Sequence, residues 1–406
     1  MAGQASPPEQ PAPSAASSAR LRVYLDCGDC FDDFLRDEIE WVNFVNQPQD
    51  ADVHLLSNST GTGSGGRELV LRFVGVNRFQ GVNRELRVVS LVNEAENTRR
   101  AAVLRTVIVG LLGYLAQEGL PSSLDVSVEA QEEDDDDGPV TDRWNLWVFE
   151  VSAGGQIESD QSNRQIQWDT SFNADRVSEH WKISFGVSID QENETFDLDE
   201  DDPFEVEQRE RNFEWFVAKS FGPHWSFGFD GNVESSTFGN TEFGAQAAPA
   251  VEFSVFPYTD YAIRQLVVQY QIGAEHARYH EVTLFDEIQE TLGRQQVSIN
   301  LDQTQPWGSL QAGFEWSQYL HDLSKYHIEV DGEISLRVAR GLSFDVEGSA
   351  SRIRDQLSLP RRGATREEVL LELRELQSSY DVSFSVGFSY SFGALFNNVV
   401  NPRFDN

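Results

Sequence analysis

From Arg143 onward, apolar and polar residues alternate along the chain with a period of two. Ile183, Phe185, Val187 and Ile189 alternate with Ser184, Gly186, Ser188 and Asp190; Trp225, Phe227 and Phe229 alternate with Ser226, Gly228 and Asp230. The rhythm continues through Leu310, Phe314 and Trp316, then Ile328, Val330, Ile334 and Leu336, then Phe344 and Val346. It ends in Phe384, Val386, Phe388, Tyr390 and Phe392. Successive side chains of a strand point to opposite faces, so this pattern predicts strands with one apolar and one wet face. Strands are placed near 144–158, 164–177, 181–194, 208–221, 224–237, 242–256, 262–277, 293–304, 308–320, 326–339, 342–355 and 379–392. That number is even, as single-chain bacterial barrels require.

The pattern before residue 120 is different. Leu21, Val23 and Leu25 alternate, then Phe31, Phe34, Leu35 and Ile39 fall at helical spacing. Strands follow at 52–56, 68–74 and 85–92, and a closing helix, capped by Asn93, carries Val103, Val107, Leu111 and Leu115 on one face. The predicted order is β-α-β-β-β-α. The chain thus divides into a leader (1–19), an α+β domain (20–128), an acidic linker (129–142), a twelve-stranded antiparallel barrel (143–393) and a tail (394–406), a mainly β fold. MAGQA before Ser6 reads as the end of a signal peptide, with small Gly3 and Ala5 near a cleavage point.

Alternation alone fits a soluble sandwich or a membrane barrel. Two features favour the membrane. Turns after even-numbered barrel strands are short (RVSEHW, FGPHW, FPYTDYA, QPWG, VARGL), whereas several after odd strands, around 195–207, 278–292 and 356–378, are long and acidic. Membrane barrels have short periplasmic turns and long outer loops. Trp181, Trp225, Phe256, Tyr258, Tyr261 and Trp307 all lie beside the short turns, where amphipathic rings form a girdle at headgroup level. Tyr279, Tyr319 and Tyr326 are candidates for the opposite interface. No apolar run reaches the roughly 18 residues of a membrane helix, and 103–116 reads as a buried one.

Charge narrows the function classes. The chain has 67 acidic and 31 basic residues, a net charge of −36, with Lys only at 182, 219 and 325. Such a surface repels phosphate backbones, so nucleic-acid binding is not expected. The polar barrel face carries Asp230, Glu234, Glu315, Glu329, Asp331, Glu333, Asp345 and Glu347, with Arg176, Arg209, Arg211 and Arg337 as candidate partners. An acidic wall attracts cations if the bore is open, and is only hydrated filling if it is not.

The last strand adds a motif. Ser385-x-Gly387-x-x-Tyr390-x-Phe392 resembles the signal read by the outer-membrane barrel assembly machinery, although the chain continues to Asn406. With the stretch Ser389–Phe404, SYSFGALFNNVVNPRF, the chain resembles an uncharacterised family of bacterial outer-membrane proteins. Its barrel is loosely similar to the salt-stress-induced outer-membrane family. DADVHLL, a Gly-rich turn and RELVLRFVGV resemble the amino-terminal domain of the periplasmic TolB family. These resemblances imply an outer-membrane location, lipid around the barrel and a periplasmic docking module for a protein partner. They imply no chemistry.

Candidate chemistry is sparse. Cys27-Gly28-Asp29-Cys30 sits where a strand meets a helix, a place that suits disulfide exchange, although in an oxidising compartment a structural bridge is the simpler state. A thioredoxin-like fold would also need a parallel βαβ start, which the pattern does not reveal. The loop 61–66 lacks the Lys-Ser/Thr of a phosphate loop and reads as a hairpin connection. His276 and His280 would stand about 13 Å apart on one strand face, too far for one metal. No cofactor, metal or catalytic group is expected. The sequence supports a structural or binding outer-membrane protein, with a small cation-preferring channel as the alternative and a lipid-acting enzyme as a remote third.

Overall fold

The computed structural model describes residues 20–63, 65–91, 94–118, 143–161, 163–196, 204–362 and 378–394. The leader, the acidic linker and nearly all of the tail lie outside them, as does the expected cap Asn93. The amino-terminal domain begins with β1 (Leu21–Asp26), whose Leu21, Val23 and Leu25 are buried on one face. Then come α1 (Asp32–Glu38), β2 (Val42–Phe44), β3 (Val53–Gly61), β4 (Arg67–Gly75), β5 (Asn83–Ser90) and α2 (Glu96–Glu118). The sheet order is β2-β1-β3-β4-β5, with β1 parallel to both β2 and β3 and the other pairs antiparallel. β2 was not foreseen, because three residues are too few to show alternation.

α2 is long and apolar enough to cross a membrane by composition. One face of it packs on the sheet: Val103, Val107, Leu111, Tyr114 and Leu115 are buried there. The Tyr114 hydroxyl lies 3.0 and 2.8 Å from the carbonyls of Phe73 and Val82, and burial pushes its pKa up to about 12. Asp52 is 0% exposed and is held by Arg22 (backbone N 3.0 Å, Nε 3.2 Å, Nη2 2.9 Å) and by Arg78 Nη2 at 2.9 Å. Burial raises its pKa, but hydrogen bonds from Arg22 and the charges of Arg78 and Arg22 outweigh this and hold it below the usual carboxylate value.

The second part is a single antiparallel meander of twelve strands. They are β6 (Trp147–Ser159), β7 (Asn163–Val177), β8 (Trp181–Phe196), β9 (Phe204–Phe221), β10 (Trp225–Ser236) and β11 (Thr241–Ser254), continuing as β12 (Arg264–Tyr279), β13 (Gln289–Gln305), β14 (Gly308–Tyr319), β15 (Tyr326–Ala339), β16 (Leu342–Ile353) and β17 (Tyr380–Tyr390). Each pairs with its sequence neighbours, so the order runs unbroken from β6 to β17. Every strand foreseen from alternation is present, with ends shifted by a few residues.

Of the expected long connection around 195–207, residues 195–196 and 204–207 are strand, and 197–203 lie outside the described residues. The β8–β9 ladder extends to Phe196↔Phe204, and its polar side chains are matched: Asn163 Nδ2 donates to Glu194 (2.6 Å), Gln165 Nε2 to Glu192 (2.7 Å) and Gln191 Nε2 to Glu207 (3.0 Å). The connection after β12 is described throughout, and of the one after β16 residues 354–362 and 378–379 are described. β6 and β17 stand at the two ends of the sheet order, and no ladder joins them among the described residues.

Asp52→Asn should destabilise the amino-terminal domain by about 1–3 kcal/mol. The folded pKa of Asp52 is depressed, so its contribution is complete above the unfolded value of about 4 and is lost as pH falls through the folded value. Amide exchange of β1 and β3 as a function of pH checks this: the wild type should lose protection in acid, and the variant should lack that component.

Candidate functional site: an acidic bore between a docked domain and an inward segment

Residues paired across adjacent strands share a face. Ser226 pairs with Glu252, Glu252 with Gln269, Gln269 with Ser298, Ser298 with Glu315 and Glu315 with Glu329. Glu333 pairs with Glu347, and Asp345 with Gly387. Counting by twos along each strand, all eight acids named from the sequence fall on one face. That face is concave: cavities of about 280 and 630 Å³ are lined by Asn232, Glu234, Gln246 and Glu275, and by Asp190, Glu210, Asn212 and Glu214. The opposite face carries Phe227, Phe229, Val330, Phe344, Phe384 and Phe388, all exposed.

The same ladders bring in acids that the sequence reading passed over. Asp169, Asp190 and Glu210 stand in one row across β7, β8 and β9. Adjacent like charges about 5 Å apart repel by about 1 kcal/mol even in water, so this wall favours mobile cations beside it. Glu275, Glu290 and Asp302 share the concave face. Alternation could have flagged all of these.

Most of the expected arginine partners go elsewhere. Arg176 pairs with Ile183 on the outer face and donates to the Asn145 carbonyl at 2.9 Å. Arg209 lies on the outer side and pairs with Glu207, whereas Arg211 lines the larger cavity beside Glu210 and Glu214. Arg337 faces inward but binds Asp26 of the amino-terminal domain. Alternation along their own strands already places Arg176 with Phe172 and Arg209 with Phe213, on the apolar side. Arg294 is an inward cation it missed, donating to Ser317 Oγ at 3.0 Å.

The short-turn end is covered by the amino-terminal domain. After β15, Arg337 reaches Asp26, Arg340 reaches Asp50 (2.6 Å) and the Gly341 amide donates to Gln47 Oε1 (2.6 Å). After β17, Asn46 Nδ2 donates to the Ala394 carbonyl (2.8 Å) and Gln47 Nε2 to that of Ser391 (3.3 Å). Arg72 Nη1 donates to the Thr304 carbonyl (3.1 Å) and Asn58 Nδ2 to that of Ala262 (3.3 Å). Gly63 lies against Val177, so close that a Cβ there would overlap the valine side chain. The domain therefore spans the mouth from the end of β7 to the residues beyond β17.

This docking changes the expected girdle. Trp181, Trp225 and Trp307 are exposed beside the short turns, and Phe256 lies under Arg264, whose guanidinium is 4.2 Å from the ring centre. Tyr258 and Tyr261 turn away from that ring of aromatics. The Tyr258 hydroxyl meets Ser226 Oγ (2.9 Å) and Glu252 (2.8 Å), and burial pushes its pKa up to about 12. The Tyr261 hydroxyl donates to Glu68 and accepts from Arg87 Nη1 (3.2 Å), so it belongs to the docking contact; burial, then the Glu68 bond, push it up to about 12.

At the other end, residues 354–361 leave β16 and cross to the ends of β10–β12. Thr283 bridges Pro360, the Leu284 amide donates to the Leu359 carbonyl (2.8 Å) and Asn240 Nδ2 to that of Ser358 (2.7 Å). Leu357 and Leu359 are 6% and 3% exposed. Tyr279 and Tyr319, expected at the outer interface, are buried on the concave face instead. Their hydroxyls donate to Glu290 (2.6 Å) and Glu275 (3.2 Å). A polar partner inside holds each ring inward.

The remaining sequence candidates fall as follows. Ser385 and Gly387 are on the concave face, opposite Glu347 and Asp345. Tyr390 and Phe392 are exposed and stacked at 5.5 Å. His276 Nδ1 meets Thr291 Oγ1 (2.7 Å), and the His280 amide donates to the Asn240 carbonyl (3.1 Å). Cys27 and Cys30 form a disulfide with Cα atoms 5.7 Å apart. The parallel βαβ start that the pattern did not reveal is present as β1-α1-β2. No protein-family model and no curated protein matches this chain.

Replacing Arg337 and Arg340 together by Ala should loosen the docked domain. Exposed and half-exposed ion pairs contribute up to about 1 kcal/mol each, so protection of the Gly341 amide from exchange should fall roughly tenfold. Added salt should produce part of the same effect in the wild type.

Proposed function

We propose that this chain is an outer-membrane barrel that forms a cation-preferring path, held closed by its own amino-terminal domain on the periplasmic side. The observation that carries the reading is the shared register of the acids on a concave face whose short-turn mouth the domain covers. The membrane part rests on the convex face. Phe384 and Phe388 are 73% and 78% exposed, within a continuous apolar surface that water does not favour. Lipid is the solvent that matches it. The Ser385-x-Gly387-x-x-Tyr390-x-Phe392 strand supports insertion by the barrel assembly machinery.

The reading sets a demand on the seam. In hydrocarbon an unpaired strand edge leaves N–H and C=O groups unsatisfied, and lipid-exposed open edges do not occur. β6 and β17 must therefore pair in the bilayer. In lipid nanodiscs their amides should exchange as slowly as those of β12; fast exchange along both strands would remove the membrane reading.

A second reading keeps the domain as a docking module for a periplasmic protein. It is favoured by exposed Val109 on α2, a helix that none of the contacts with the barrel given above involves. Val109→Asp should then weaken capture of that protein without changing conductance.

The channel reading is tested in planar bilayers. Full-length protein should conduct little, and the Arg337→Ala, Arg340→Ala variant several-fold more, with cations preferred. Glu333→Lys with Glu347→Lys should lower that preference. Silence of both proteins at every voltage would overturn the proposal.

A further inference from the structure

The cleft beside the disulfide is the feature that the proposed function does not use. Cys27 is partly exposed and Cys30 is wholly buried, so a thiol arriving from outside meets only one of the two sulfurs. Asp32 Oδ1 lies 3.7 Å from Cys27 Sγ and 3.5 Å from Cys30 Sγ. Both cysteines sit at the carboxyl end of β1, the strand that runs parallel to its two neighbours. A cleft of about 450 Å³ opens on Cys27; Phe31, Leu69, Val88 and Val103 give it apolar walls, and Arg67, paired with Asp29, lines it together with Arg99, Asp32 and Glu96. Arg99 Nε is shielded from solvent and has no hydrogen-bond partner among the described residues. A purely structural bridge needs neither a cleft nor a carboxyl group at its sulfurs. With only two residues enclosed, it also closes a very short loop, the case in which a crosslink restrains the unfolded chain least.

We infer that Cys27–Cys30 is a thiol–disulfide exchange site that accepts electrons from a dithiol protein segment bound in this cleft. A thiolate of the partner attacks Cys27 Sγ, the Cys27–Cys30 bond breaks, and Cys30 leaves and takes a proton from the Asp32 carboxyl group. The partner's second thiolate then attacks its own sulfur in the mixed disulfide and releases Cys27. Two electrons pass from the partner dithiol to the cysteine pair; the two protons its thiols shed on forming thiolates return to the Asp32 carboxyl group and to the released Cys27 thiolate, and the partner gains a disulfide. A small disulfide such as oxidised glutathione reverses the sequence and restores the bridge. Burial raises the pKa of Asp32, which favours its carrying this proton.

The test uses the full chain in detergent micelles. With oxidised glutathione as probe, Cys30→Ser should accumulate a mixed disulfide at Cys27, releasing one reduced glutathione, and Cys27→Ser should do so at Cys30 at least tenfold more slowly. Asp32→Asn should slow reoxidation of the reduced chain by oxidised glutathione about tenfold at neutral pH and flatten its pH profile. Should a cysteine variant fail to fold, pulsed alkylation of the wild type still decides: exchange must occur in the native protein without denaturant. A bridge that glutathione opens only after unfolding in urea, or equal trapping at both cysteines, would overturn the inference. An unchanged pH profile in Asp32→Asn would overturn the role of the carboxyl group.

Discussion

The antiparallel ladder is the constraint from which the rest of this molecule follows. Once β6 to β17 pair in sequence order, each side chain's face is fixed by parity, and a one-residue slip would send every acid to the apolar side. Registers such as Glu333↔Glu347 and Ser298↔Glu315 therefore define two surfaces of opposite chemistry. The charge of −36 is compatible with an apolar exterior only because this ladder gathers so much of it along the inner wall. The same parity leaves Phe384 and Phe388 outward with no protein to cover them.

The amino-terminal domain meets this wall through the end of its own central strand. Asp26 closes β1, accepts from His54 Nε2 at 2.8 Å and binds Arg337 of the barrel; the next residue is Cys27. The domain's parallel sheet, its disulfide and the barrel mouth thus converge within two residues. A change at the disulfide would act on the strand end that carries the latch to the barrel.

Much of this was legible in the sequence, for a local reason. Alternation over ten residues identifies a strand without knowledge of its partner, so all twelve barrel strands and the α2 face Val103, Val107, Leu111 and Leu115 could be read directly. Contacts between residues far apart in sequence could not. Arg337 and Asp26 are separated by 311 positions, and nothing near Arg337 distinguishes a latch from a lumen counter-charge. Tyr261 looked like a girdle residue because its position beside a short turn is the girdle's position; only the docked Glu68 and Arg87 reassign it. The 354–361 segment was read as part of a long outer loop, and its inward course depends on Asn240 and Thr283, two strand connections away.

The two closures of the bore are built from different physics, and this gives the molecule a direction. At the short-turn end the contacts are charged or polar and partly exposed: Arg340–Asp50, Arg337–Asp26, Tyr261–Glu68. Salt screens such contacts and each contributes little, so they are the side that yields to solution conditions or to a competing acidic partner. At the other end, backbone hydrogen bonds at Leu284 and Arg361 and the buried Leu357 and Leu359 hold the crossing segment. Apolar burial is not screened, and these backbone groups already have partners. For the cation path proposed above, the crossing segment is then the fixed constriction and the docked domain the cover expected to open.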